Sequence, residues 1–119
     1  MFREAFPILY VDDAERSARF YADNFDFEVA FRWPTDGELE FAFLRLEPLG
    51  IGVVKGERGV EPQFELCLYC DDTDEAAARL RANGVRELQA PADQPWGERL
   101  AFFEDPDGNR IQVTARLDP

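Results

Sequence analysis

With 119 residues, 45% of them hydrophobic and 13% aromatic, the chain is long enough for one packed core, and its composition argues against a disordered protein. Thirteen Lys and Arg against 25 Asp and Glu leave a formal net charge of -12, a field that repels phosphate backbones and anionic membrane surfaces and argues against nucleic-acid and membrane partners. No apolar run reaches membrane-spanning length, and Met1-Phe2-Arg3-Glu4 has neither the basic start nor the apolar core of a signal peptide, which predicts a cytoplasmic protein.

Residues 5–11 form an apolar run suited to a buried strand, with Pro7 early, where a missing amide donor is tolerated. Asp12 or Asp13 then caps a helix whose apolar positions Ala14, Ala18, Tyr21 and Ala22 recur at helical spacing, with Phe20 alongside and Glu15 in the first turn. The helix ends at about Asn24. Residues 27–33 alternate in polarity and are closed by Pro34-Thr35-Asp36-Gly37. Residues 39–46 follow, and Pro48-Leu49-Gly50 turns into 51–55. The first half reads as strand, helix and three strands.

Residues 55–63, with two glycines, a proline and charges, read as a linker. Beyond it come a strand at 64–70, a helix at 72–82 stopped by Asn83-Gly84, and a strand at 85–89. Cys67 and Cys70 make a C-x-x-C, but residues three apart on a strand point to opposite faces, so this pair does not suit a disulfide or a shared metal. Gln94-Pro95-Trp96-Gly97-Glu98-Arg99 then leads into a hairpin of strands 100–104 and 110–114. Its turn, Asp105-Pro106-Asp107-Gly108-Asn109, combines a proline that fixes φ, a glycine free to take positive φ, and Asp and Asn side chains able to bond the turn's own amides. The two halves repeat: Val11-Asp12-Asp13 matches Cys70-Asp71-Asp72 at a separation of 59 residues, which also relates Ala18 to Ala77 and Asn24 to Asn83. The chain is therefore expected to be a single domain of two βαβββ modules, at about 4–56 and 64–116.

Three stretches carry a resemblance to a known family. They are Leu9-Tyr10-Val11-Asp12-Asp13-Ala14-Glu15-Arg16-Ser17 followed by Phe20-Tyr21, then Arg81-Ala82-Asn83-Gly84-Val85, then Phe103-Glu104-Asp105-Pro106-Asp107-Gly108-Asn109. With them the chain resembles the vicinal oxygen chelate superfamily, which holds glyoxalase I, extradiol dioxygenases, fosfomycin resistance proteins and bleomycin resistance proteins. The resemblance implies an α+β fold in which two βαβββ modules form an eight-stranded, partly open mixed barrel around a concave site, very often in a homodimer. It also implies divalent-metal ligands at one inward position on the first and last strand of each module, which here are Phe6, about Gly52, Glu65 and Gln112. The chain has no histidine, and of these four only Glu65 is a good oxygen donor, so neither a metal nor another cofactor is expected.

The bleomycin resistance proteins are the nearest likeness, on the Ala5-Phe6-Pro7-Ile8-Leu9 opening, the acidic charge and the Pro-Trp-Gly segment. The expectation is a metal-free homodimer that sequesters a cationic, aromatic antibiotic. Trp96 can close over a flat cation, and Trp33, Phe41 and Phe43 can form walls, the last two sharing a strand face. Glu65 is the central polar candidate, with Phe6 and Gln112 as neighbours and Tyr69 on its own strand face. Glu98 and Asp93 flank the Trp loop, and Phe103 adds a ring on the strand before the last turn. Two alternatives stand beside this reading: a lyase, isomerase or dioxygenase-related enzyme using Glu65 as base, and a non-catalytic dimeric interaction module.

Overall fold

The computed structural model describes residues 1, 3, 6–56 and 65–117, so most of the expected linker lies outside the described residues. The chain divides into two compact units, Met1–Val60 and Glu61–Pro119. Unit 1 runs β1 (Ile8–Val11), α1 (Ala14–Phe25), β2 (Glu28–Trp33), β3 (Phe41–Leu46) and β4 (Leu49–Lys55). Unit 2 repeats the order with β5 (Glu65–Tyr69), α2 (Thr73–Ala82), β6 (Arg86–Asp93), β7 (Glu98–Glu104) and β8 (Arg110–Arg116). Each unit holds one four-stranded mixed sheet, β1-β4-β3-β2 or β5-β8-β7-β6, in which the first strand lies parallel to the last and the other pairings are antiparallel. Among the described residues no helix is long and apolar enough to cross a membrane.

The aspartates expected as caps take that role. Asp13 accepts from the Arg16 amide at 3.0 Å and Asp72 from the Glu75 amide at 3.1 Å, satisfying donors that the first helical turn leaves unpaired. Each helix covers one sheet face. In unit 1, Ala14, Ala18, Tyr21 and Phe25 of α1 are buried, as are Leu9, Val11, Ala42, Leu44, Ile51 and Val53 on alternate strand positions. In unit 2, Thr73, Ala77 and Leu80 of α2 are buried, with Leu66, Ala101, Phe103, Ile111 and Val113. Each large apolar side chain so buried contributes about 1.5–3 kcal/mol, which settles which face of each strand turns inward.

Several strand ends differ from the expected ones, for local reasons. Leu46 pairs with Leu49, so Glu47-Pro48 alone makes the β3–β4 turn and β4 begins before Gly50. β6 continues past residue 89, through Pro91, to Asp93. It is the edge strand, and its register shifts between Gln89 and Ala92, where a proline removes no needed donor. The Trp96 segment is consequently a hairpin turn between β6 and β7. The Gly97 amide donates to the Gln94 carbonyl at 3.1 Å, the Gln94 amide to the Glu98 carbonyl at 2.7 Å, and Gly97 takes φ 90°, where a side chain would be strained.

The β7–β8 turn satisfies itself. The Asp105 carboxylate accepts from the Asp107 amide at 2.9 Å, the Asn109 amide at 2.8 Å and the Asn109 side chain at 2.9 Å. These bonds let three polar residues, Asp105, Asp107 and Asn109, be buried.

Candidate functional site

Strand alternation leaves each sheet one face away from its helix, and the two open faces carry different chemistry. In unit 1 the open face is aromatic. Trp33 stands opposite Phe41, Phe31 opposite Phe43, and Phe43 opposite Gly52, which in turn pairs with Ile8. Phe6 meets Phe43 edge-on at 4.9 Å between centroids, and Phe31 lies 6.2 Å from Phe41. Trp33 is 55% exposed and Phe6 43%, values unusual for rings of this size.

Two glycines make room for these rings. A Cβ on Gly50 would stand 2.2 Å from Phe43 Cζ and 2.9 Å from the Leu44 carbonyl. One on Gly52 would stand 3.0 Å from Phe41 Cε1 and 3.3 Å from Phe6 Cε2. β4 therefore offers bare backbone on which Phe6, Phe41 and Phe43 rest. At the turn end of this face lies a cleft of about 460 Å³, where Arg3, Arg45 and Glu47 meet Phe6, Phe43 and Leu49.

In unit 2 the open face is polar. Glu65 pairs with Arg110 at 3.3 Å, and the Arg110 guanidinium also lies 4.2 Å over the Phe102 ring. Gln112 donates to Thr114 Oγ1 at 2.8 Å and contacts Cys67 Sγ at 3.5 Å. Partial burial pushes the Cys67 thiol up from its ordinary range, so at neutral pH it is a thiol and a poor nucleophile. At the far end, the Tyr69 hydroxyl donates to Glu98 Oε2 at 2.7 Å and the Trp96 indole to Glu98 Oε1 at 2.9 Å. These two donors, Tyr69 first, hold the Glu98 carboxyl below the usual glutamate range, and the same bond raises the Tyr69 hydroxyl.

Phe6, Trp33, Phe41 and Phe43 thus share one face of unit 1, and Glu65, Tyr69, Glu98 and Gln112 share one face of unit 2, with Trp96 at its rim. Phe103 does not join them. It is 0% exposed and opposite Ile111, on the face covered by α2, and Phe102 is the ring on the open side. A single step along a strand reverses the face, so of two adjacent phenylalanines only one can serve the site. Ile8, Tyr10 and Phe31 also belong to the aromatic face, and strict alternation from Phe6 and from Trp33 would have found them. Gly50 and Arg116 had no comparable signal, because an empty position and a strand end become meaningful only beside their neighbours.

With this geometry in view, the sequence profile described as Glyoxalase/Bleomycin resistance protein/Dioxygenase superfamily matches residues 5–113. The chain belongs to that superfamily. A Bacillus subtilis (strain 168) relative, the uncharacterized protein YraH, is 27% identical over 121 residues, covering 92% of this chain and 94% of its own. A solved member of the glyoxalase/bleomycin resistance protein/dioxygenase superfamily from Sphaerobacter thermophilus is 28% identical with a TM-score of 0.75, covering 97% of this chain and 98% of that one. TioX from Micromonospora sp. ML1 superposes with a TM-score of 0.82 at 22% identity, covering 97% and 100% of the two chains. At that identity the likeness to TioX is one of fold.

The four positions where the superfamily resemblance implies metal ligands do not fit a divalent cation in this chain. Phe6 and Gly52 carry no donor, and the backbone at Gly52 lies under Phe41 and Phe6. Glu65 already faces Arg110 at 3.3 Å, and Gln112, whose amide nitrogen bonds Thr114 and contacts Cys67, has only a neutral carbonyl oxygen to give. Among the described residues no group of three or more His, Cys, Asp or Glu side chains is arranged to hold an ion.

Proposed function

We propose that this superfamily member binds a planar, cationic aromatic small molecule on the open face of unit 1 and holds it unchanged, without a metal. The protein would act as a cytoplasmic homodimer that gives resistance by sequestering an antibiotic of this class. The observation that carries the reading is the glycine-floored sheet face on which Phe6, Phe31, Trp33, Phe41 and Phe43 gather, three of them exposed. Stacking and cation–π attraction would supply affinity, and the net charge of -12 would speed capture of a cation. An enzyme using Glu65 as general base is the second reading, and in it a substrate would have to reach Glu65 beside Arg110, which sits 3.3 Å away. The dimer rests on the family resemblance, and light scattering checks it directly.

The test is a titration of the purified protein with bleomycin, followed by tryptophan fluorescence and calorimetry, with metal analysis of the same sample. Saturable binding by protein without stoichiometric metal, and recovery of intact drug, is the expected outcome. Stoichiometric metal, or a chemically altered drug, overturns the proposal. A folded dimer whose fluorescence ignores the drug points to the interaction-module alternative.

A further inference from the structure

The far end of the unit 2 face holds an arrangement that the aromatic face of unit 1 does not explain. Glu98 has both carboxylate oxygens engaged, Oε2 by the Tyr69 hydroxyl at 2.7 Å and Oε1 by the Trp96 indole at 2.9 Å. Arg116 stands opposite Glu98 in the β7–β8 register, yet its guanidinium rests on the Tyr69 ring, 4.2 Å from the centroid. Among the described residues Arg116 forms no ion pair. Arg116 thus lies against the Tyr69 ring while its charge also acts on Glu98 and helps to lower that carboxyl.

The physical reason is local. Each carboxylate oxygen already accepts one bond from a ring donor, while a phenol that donates to an anion gains electron density, which strengthens the negative face of its ring. The frame around this face is braced. The Leu117 amide donates to the Gly97 carbonyl at 2.9 Å, tying the end of β8 to the turn that carries Trp96, and the Gln94 amide bonds the Glu98 carbonyl at 2.7 Å. Tyr69 is 51% and Trp96 64% exposed, so the rings are held in solvent by their shared carboxylate and not by burial. Arg116 sits at the exposed end of its strand, and an exposed cation–π contact of this kind is weak enough to exchange.

We propose that the Tyr69 ring face, framed by Glu98 and Trp96, is a guanidinium seat that Arg116 fills from within the chain and yields to the guanidinium of a ligand. Arg116 is then an internal competitor that sets a threshold for entry, and Glu98 is a positioning residue that orients both rings. The seat is built wholly from unit 2 and does not depend on the ligand proposed for unit 1.

The experiment labels the protein with 5-fluorotryptophan and follows the two fluorine resonances during titration with methylguanidinium, against sodium chloride at equal ionic strength. The expected result is a saturable shift of the Trp96 resonance with no shift at Trp33. Arg116→Gln should tighten binding roughly two- to fivefold by removing the occupant, the range expected for an exposed cation–π contact. Tyr69→Leu should abolish the shift, and Tyr69→Phe, which keeps the ring but loses the bond to Glu98, should weaken binding in a protein of undisturbed fold. A shift that salt reproduces, or an Arg116→Gln protein that binds no more tightly than the parent, overturns the proposal. Bleomycin moving only the Trp33 resonance, with methylguanidinium moving neither, would leave the unit 1 reading standing and the guanidinium seat refuted.

Discussion

The two units share a topology and differ in what they do with it. In both, a capped helix buries one sheet face, and the parallel pairing of the first strand with the last is the same. The open faces diverge. Unit 1 carries rings over bare glycine backbone, whereas unit 2 carries Glu65–Arg110, Gln112–Thr114 and the Glu98 bracket. Eight of the eleven phenylalanines precede residue 61, so the internal repeat conceals a division of chemistry. The β-turns differ in the same sense: Glu47-Pro48 is a tight connection beside a cleft, and residues 105–109 form a buried, self-bonded turn. Duplication preserves what folding requires, the inward face and the caps. The outward faces, under weaker packing constraint, are free to specialise.

The sharpest way to break this comparison is to remove the device that only unit 2 possesses. Asp105→Ala deprives three donors in a buried turn of their acceptor and should cost about 3 kcal/mol, measured as a lower urea midpoint. A loss of only a few tenths would mean that the turn is not a distinct support. Next in size is Gly50→Ala in unit 1, where the added Cβ meets the Phe43 ring at 2.2 Å and the Leu44 carbonyl at 2.9 Å. Overpacking of this kind should cost about 2 kcal/mol and displace Phe43, visible as a change in near-ultraviolet circular dichroism.

Trp33→Ala tests whether the aromatic face is where a flat guest stacks. It should weaken bleomycin binding about tenfold in calorimetry, with the urea midpoint nearly unchanged, since the ring is mostly exposed. Equal loss from Tyr69→Ala would erase the functional distinction between the units. The smallest effect is a pH response confined to unit 2. The folded-state Glu98 carboxyl is lowered by the Tyr69 and Trp96 donors, so its stabilising contribution is complete above the ordinary glutamate range and is lost as pH falls through the lowered folded value. The Trp96 indole N–H resonance should therefore keep its bonded position into acid below that range before it moves. The Trp33 resonance should stay constant through the same titration.

Element order, both caps and the last hairpin were legible because they rest on short-range chemistry. Asp13 and Asp72 precede helical periodicity, and Asp105 to Asn109 is a turn by side-chain capacity alone. Legibility failed where neighbours decide. The strand expected to end at residue 89 runs on through Pro91 because β6 is an edge strand with a register shift, and Phe102 and Phe103 are indistinguishable until the register against Ile111 and Gln112 is set. A cation, Arg110 or a ligand amine could each balance Glu65 on sequence grounds, and the β5–β8 register decides for Arg110.

By itself the sequence determined two βαβββ units, the helix each carries, the absence of histidine and the acidic field, because these follow from local periodicity, capping chemistry and composition. Only the tertiary structure decided which rings from different strands come together, that Gly50 and Gly52 are their floor, and that Glu98 is held between Tyr69 and Trp96. Those facts depend on pairing between strands distant in the chain, and a shift of one residue in any pairing would have sent a different set of side chains to the open face.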